Sequence, residues 1–315
     1  MKKSILFVMA SVAIGIIIVI LSFLAVTVLP RDTFAESFMA TLKTKYEILK
    51  ETDEPKIIII SGSSASFSLD NNLLEKETGY KVANIALHAG TGALFETELS
   101  KANINKGDIV LLGYEWGWPD EGFFDSFGTD IIMQGIDDKI EMYKYIPLRH
   151  YKDILGYLCD FAVKKQAYEG GSTGVYSRSA FDEKGNMVFE RNDSPVVSVY
   201  NPNTYGCIDV KDKMIDSRTV EYLKEYKEYV ENKGARICWI GCPIWSGAIV
   251  CEDSDFESIV EQEEELIGID YISNPIDYIF QDEYMYDTIY HTNTKGQKYR
   301  TELLINDLKK AKIVE

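Results

Sequence analysis

The sequence predicts an α/β fold, a parallel sheet flanked by crossover helices, carried behind one N-terminal helix long enough to cross a membrane. Three observations predict it. Residues 4–30 carry no charge and are mostly Ile, Val, Leu, Ala and Phe. Three short aliphatic runs, at 56–60, 81–86 and 109–112, are separated by stretches of helical character, the signature of parallel strands joined by crossovers. After a long irregular stretch the alternation resumes, with a helix predicted over 217–233 and a fourth strand over 236–241.

The elements follow in order. As a helix, residues 5–29 span ~37 Å at ~1.5 Å per residue, more than the about 30 Å of a bilayer core. Lys2 and Lys3 precede this stretch, which favours a cytoplasmic N-terminus and an extracytoplasmic remainder. The alternative is a cleaved signal peptide, whose apolar core runs to about 7–15 residues. This stretch is longer, and Thr33-Phe34-Ala35 is a poor cleavage motif. Residues 31–55 read as a stalk or first helix, helical over 34–51, and residues 56–315 as the main domain. Lys56-Ile57-Ile58-Ile59-Ile60 followed by Ser61-Gly62-Ser63-Ser64 reads as a buried strand ending in a tight turn. A helix is predicted over 69–78, stopped by Gly79. Then come the strand at 81–86, a loop at 90–92, a helix over 93–104 and the strand at 109–112. Residues 117–212, rich in Gly, Tyr, Phe, Asp and Asn with a helical piece over 140–164, read as an insertion over the carboxyl end of the sheet. Beyond the fourth strand are an acidic helix at 254–266, a short strand with its connector within 269–280, and a last helix over 294–310.

Composition excludes several functions. Net charge is −17, and −19 without Lys2 and Lys3. A surface this acidic repels phosphate backbones, so no nucleic-acid partner is expected. Cys159, Cys207, Cys238, Cys242 and Cys251 are too few for a disulfide scaffold and lack CxxC spacing. With only three histidines beside them, no metal and no cofactor are expected. A Cys242–Cys251 bridge fits an oxidising compartment, and the odd count leaves at least one thiol unpaired within a monomer.

In open parallel sheets the chemistry lies beyond the carboxyl ends of the strands. Gly62 lets the chain bend sharply after the first strand, and Ser64 falls near the next helix N-terminus, whose N–H groups steady an oxyanion. Serine at such a place is also a good helix cap. A serine hydroxyl needs a base, and histidine is the usual one. Of His88, His150 and His291, only His291 has an acid close upstream, Asp287, in a polar loop that leads into a helix. The bland reading of that loop is a cap for the last helix through Thr292 or Thr294. Gly90, after the second strand, brings an N–H towards the site or is an ordinary turn residue, and His88 reads as structural or as a support behind the site residues.

Together these segments resemble the SGNH (GDSL-like) hydrolase superfamily. They are most similar to its membrane-anchored, cell-envelope branch, which includes the DltD-type proteins of D-alanyl transfer and polysaccharide O-acetyltransferases. The resemblance covers residues 56–116 and 234–310. It implies a three-layer, SGNH/flavodoxin-like sheet sandwiched by helices. It also implies Ser64 as nucleophile, in Gly62-Ser63-Ser64 where the family has Gly-Asp-Ser, with Asp287 and His291 as the acid–histidine pair. The oxyanion hole would be the N–H groups of Ser64 and Gly90. Asp287 and His291 stand one residue further apart than the usual Asp-x-x-His. The family's Gly-x-Asn block reads Gly113-Tyr114-Glu115 here, and an ionised glutamate accepts where the asparagine donates. Losing one such donor costs about 100- to 1000-fold in rate. Asn84 and the indole N–H of Trp116 are candidate replacements, and Glu115, Trp116 and Trp118 are candidate substrate contacts. Phe123 and Phe124 beside them either stack sugar rings or form ordinary core.

What the resemblance implies is a single-pass, extracytoplasmic serine esterase or O-acyltransferase. It would act through an acyl-enzyme on acyl groups of a cell-wall or surface polysaccharide. An acyl donor and a membrane acyl-transfer protein are the candidate partners. The alternative is a catalytically weak or inactive binding and assembly partner in polymer acylation. The missing asparagine favours that alternative, and the serine, aspartate and histidine together oppose it.

Overall fold

A computed structural model describes residues 2–116 and 122–315. The first helix, α1 (Lys2–Val28), is long and apolar enough to cross a membrane. Its side chains are exposed over residues 3–22. Among the described residues, only its last turns touch the rest of the chain. Phe23 meets Tyr143 edge to face with centroids 5.0 Å apart. Lys165 Nζ donates to the carbonyls of Thr27 at 3.0 Å and Pro30 at 3.1 Å and pairs with Asp137 at 2.6 Å. After a single turn at Phe38–Ala40, capped by Ser37, α2 runs Thr41–Glu51. Its apolar residues recur at helical spacing, so Leu42, Tyr46 and Leu49 bury on one face, each at most 1% exposed. Phe34 before it is fully buried too.

The sheet elements then alternate: β1 (Lys56–Ile60), α3 (Ser63–Ser68), α4 (Asn71–Thr78), β2 (Lys81–Asn84), α5 (Ala93–Ser100) and β3 (Ile109–Leu112). Residues 122–212 hold short helices α6 (Phe123–Asp125), α7 (Thr129–Ile136), α8 (Tyr151–Ala167), α9 (Val196–Val199) and α10 (Pro202–Tyr205). The alternation resumes with α11 (Ser217–Asn232), β4 (Arg236–Trp239), β5 (Ile244–Trp245), α12 (Asp253–Ile267), β6 (Ile279–Phe280) and α13 (Thr294–Lys310). Four parallel strands stand in the order β2-β1-β3-β4, with Ile57 opposite both Val82 and Ile109. β5 and β6 form a separate parallel pair.

A central parallel strand is buried on both faces, which is why β1 is an unbroken isoleucine run. Ile57 and Ile59 pack with Leu74 of α4 and Leu304 and Leu308 of α13. Ile58 and Ile60, pointing the other way, pack with Tyr46 of α2, Leu99 of α5 and Leu223 of α11. Several boundaries differ from the sequence expectation: the helical stretch expected over 34–51 becomes a helix only from Thr41, the helix over 93–104 ends at Ser100, the helical piece over 140–164 is a tight turn at Ile140–Tyr145 followed by α8, and the strand over 236–241 ends at Trp239. The helix expected from 69 begins at Asn71, because Asp70 caps it by accepting the N–H groups of Asn72 and Leu73, and the residues before it form α3 instead. The strand expected to 86 leaves the ladder after Asn84. All five cysteines are free thiols, so Cys242 and Cys251 are not bridged.

Lys45 on α2 carries a pH dependence. It is buried, with Nζ donating to the Asn84 carbonyl at 3.0 Å and lying 5.6 Å from the Phe181 ring centroid. Burial pushes its pKa down to about 7, against the attraction of Asp182. The unfolded chain keeps this proton to about pH 10. From about 7 upwards the unfolded state therefore binds more protons at this group, and its contribution to stability improves as pH rises. Relative to Lys45→Met, the wild type is expected to gain in urea midpoint between about pH 7 and about pH 8.5. A difference independent of pH would mean that Lys45 stays charged and paired.

Candidate active site

The strand order reverses between β1 and β3, so a crevice opens beyond the carboxyl end of β1. Residues 61–64 turn there. A Cβ on Gly62 would lie 2.5 Å from both carboxylate oxygens of Glu115, so any other residue here would push that carboxylate off the turn. Glu115 Oε2 accepts the Gly62 N–H at 3.2 Å, and Oε1 accepts the Ser64 N–H at 2.9 Å. The residue standing where the resemblance has an oxyanion donor is thus an anion capping the N-terminus of α3, where free N–H groups favour negative charge. Glu115→Ala leaves both N–H groups without this acceptor and is expected to cost about 1–3 kcal/mol in urea denaturation. Glu115→Gln, which keeps one acceptor oxygen, is expected to lose less, and an unchanged midpoint in Glu115→Ala would show that water replaces the carboxylate.

Helical geometry puts Ser63 and Phe67 on one face of α3 and Ser64 and Ser68 on another. Ser64 is fully buried. Ser61 gives its one proton to the Gly113 carbonyl at 2.6 Å. The 3.0 Å contact between Ser64 and Ser61 is therefore donated by Ser64. The Cys242 thiol donates to Ser64 Oγ at 3.5 Å, and burial pushes that thiol up to about 12, so it keeps its proton. Arg300 closes this side of the turn by donating to Ser68 Oγ and to the Gly241 carbonyl. The hydroxyl expected to be the nucleophile thus lies in a closed chain of donors, with no histidine among its hydrogen-bond partners.

Ser63 and Phe67 instead face a cavity of about 360 Å³ whose wall includes Phe38, His88, Tyr176, Thr204, Tyr290 and His291. The structure brings Asp287 and His291 together: His291 Nδ1 is 2.8 Å from Asp287 Oδ1. The loop between them folds back because Thr288 Oγ1 accepts the His291 N–H at 3.1 Å, which accommodates the extra residue. The imidazole lies flat on Phe67, with centroids 3.8 Å apart and planes 7° apart. The Tyr176 hydroxyl donates to Asp287 Oδ2 at 2.5 Å. Burial works against the Asp287 charge, but the bond and charge of His291, with the Tyr176 hydroxyl, hold its carboxyl below the usual range. With Nδ1 donating to Asp287, Nε2 of His291 is the basic atom. No hydrogen bond joins His291 to Ser63, and the two share the cavity.

Of the other expected donors, two are engaged elsewhere, and the indole N–H of Trp116 is buried with no partner among the described residues. The Gly90 N–H donates to His88 Nδ1 at 2.9 Å. The Asn84 amide donates to Ala65 O and Asn71 Oδ1, and its oxygen accepts the Ala86 N–H. Trp116 is buried edge to face on Phe256 with centroids 5.0 Å apart, and Phe123 is fully buried, so neither offers a face to a sugar. Glu115 lines a second cavity, of about 200 Å³, with Glu96 and Tyr290. Burial raises the Glu96 pKa well above the usual carboxylate range. Trp118 lies outside the described residues.

Sequence reasoning passed over Ser63, Phe67 and Tyr176. Ser63 and Phe67 stand four residues apart, a helical signal in a segment too short to show a period. Tyr176, in a glycine-rich run far from Asp287 in the chain, carried no such signal. Among the described residues, no group of three or more His, Cys, Asp or Glu is placed to hold a metal ion. Compared with models of known protein families and with curated proteins, the chain matches none.

Proposed function

We propose that the chain is an extracytoplasmic serine esterase or O-acyltransferase of SGNH type. It acts on acyl esters of a cell-wall or surface polysaccharide, with Ser63 in place of Ser64 as its nucleophile. The observation that carries the reading is the Asp287–His291 pair, opening onto the same cavity as Ser63 at the sheet's switch point. Ser63 Oγ attacks the ester carbonyl and passes its proton to His291 Nε2. Collapse of the tetrahedral intermediate breaks the acyl–oxygen bond, and His291 returns the proton to the leaving alcohol. Asp287, steadied by Tyr176, keeps the imidazole in the tautomer this needs. The acyl group then passes from Ser63 to water or to a glycan hydroxyl.

Retention of α1 as a single-pass anchor, with Lys2 and Lys3 on the cytoplasmic side, is part of the proposal. Its support is the docking of the helix end, since cleavage beyond it would take two carbonyl acceptors from the buried Lys165. The second reading, a binding partner that does no chemistry, is favoured by the absence of a Ser63–His291 hydrogen bond. Catalytic bonds in ligand-free sites are often long. The deciding experiment is labelling of the full chain in detergent with a fluorophosphonate, followed by fragmentation of the modified peptide. Phosphonate on Ser63 supports the enzyme reading. A folded protein that takes up no label supports the binding partner.

A further inference from the structure

We propose that His88 is a catalytic residue of this site, donating its Nε2–H, beside the Ser63 backbone N–H, to the oxyanion that forms on the substrate. This rests on the serine-nucleophile reading above. A tetrahedral intermediate needs donors aimed at the oxygen that becomes charged. Among the described residues the indole N–H of Trp116 is unpartnered, but Trp116 is buried against Phe256 and does not line the cavity that Ser63 faces. The N–H groups of Gly62 and Ser64 go to Glu115. That of Gly90 goes to His88, and those of Asn84 go to Ala65 and Asn71. Among the described residues, the Ser63 N–H has no acceptor and His88 Nε2 has no partner.

His88 is built for this role by its turn. Its carbonyl accepts the Thr91 N–H at 2.9 Å and the Thr91 hydroxyl at 2.6 Å, which fixes the backbone. Its Nδ1 accepts the Gly90 N–H, so Nδ1 carries no proton and a neutral ring carries its one proton on Nε2. Burial, and then the proximity of His291, push its pKa down, which keeps the ring neutral. The ring lines the cavity with Ser63 and His291. When Ser63 attacks, the carbonyl π electrons move to oxygen and the Ser63 proton moves to His291. His88 keeps its own proton and shares it through a hydrogen bond. The Gly90 N–H that the resemblance assigns to the oxyanion therefore acts one step removed, by orienting the imidazole that donates.

The test uses full-length protein in detergent with p-nitrophenyl acetate and a fluorophosphonate. His88→Ser keeps an oxygen to cap the Gly90 N–H but has no donor long enough to reach the cavity. Its kcat is expected to fall about 100- to 1000-fold, with KM and thermal midpoint little changed. His88→Gln, which carries an N–H at nearly the reach of Nε2, is expected to recover at least about tenfold of that loss. Wild-type kcat in His88→Ser, with Ser63→Ala inactive, overturns the role of His88 and leaves the serine reading standing. Equal losses in His88→Ser and His88→Gln also overturn the donor role. A wild type no more active than Ser63→Ala takes both proposals down together.

Discussion

Ester turnover is expected to fall by about 10⁴-fold or more in Ser63→Ala and in His291→Ala, while Ser64→Ala is expected to stay within about tenfold of wild type. These adjacent serines separate two accounts of the site. The Ser64 hydroxyl is committed to Ser61, accepts from Cys242 and is fully buried. Removing it breaks one short polar chain and leaves the Ser61–Gly113 bond in place. Ser63 lies on the face of α3 that carries Phe67, the platform under the imidazole. The comparison needs steady-state kinetics on the three variants with an activated ester, each checked for an unchanged thermal midpoint. An inactive Ser64→Ala beside an active Ser63→Ala would restore the assignment by resemblance, and α3 would have to rotate by about 100° to allow it.

The largest expected effect on stability belongs to Asp108. Lys56 Nζ and Asp108 Oδ2 pair at 2.8 Å with both side chains fully buried. The same carboxylate accepts the backbone N–H groups of Lys56 at 3.0 Å and Asn105 at 2.8 Å. It thereby ties the start of β1 to the turn that leads into β3. Asp108→Ala strands a buried ammonium and two backbone donors, and is expected to cost about 3–5 kcal/mol. Replacing both partners, as Lys56→Met with Asp108→Leu, removes the uncompensated charge and is expected to recover much of that loss. Urea denaturation of the three proteins measures it. A loss below about 1 kcal/mol in Asp108→Ala would mean that water reaches Lys56.

The sheet was legible because central parallel strands must be continuously apolar, and β1, β2, β3 and β4 all lie where the short aliphatic runs stand. The last helix was legible to its ends, Thr294–Lys310, from the apolar residues repeating along one face, although its cap is Asn293 and not Thr292 or Thr294. α3 was not, since six residues are too few for a helical period to appear. The same brevity explains the serines. Whether Ser63 or Ser64 faces the crevice depends on where the helix begins, and a shift of one residue turns the side chain by about 100°. Asp287 and His291 were legible because the three residues of loop between them suffice to bring them together. Tyr176 reaches Asp287 only through tertiary contacts that no local pattern encodes, among them the bridge of Ser177 to Ser37.

That bridge lies close to the end of α1. Phe23 and Thr27 are pinned to the domain, Phe34 is fully buried, and Phe38 already forms part of the cavity wall. The stretch read from sequence as a stalk or first helix therefore has no slack. If α1 stays in a bilayer, the cavity is held at one height above the lipid headgroups and has no radius to sweep. A polymer strand lying further out in the envelope has to be delivered to that height, whereas a substrate carried at the membrane surface arrives there without help.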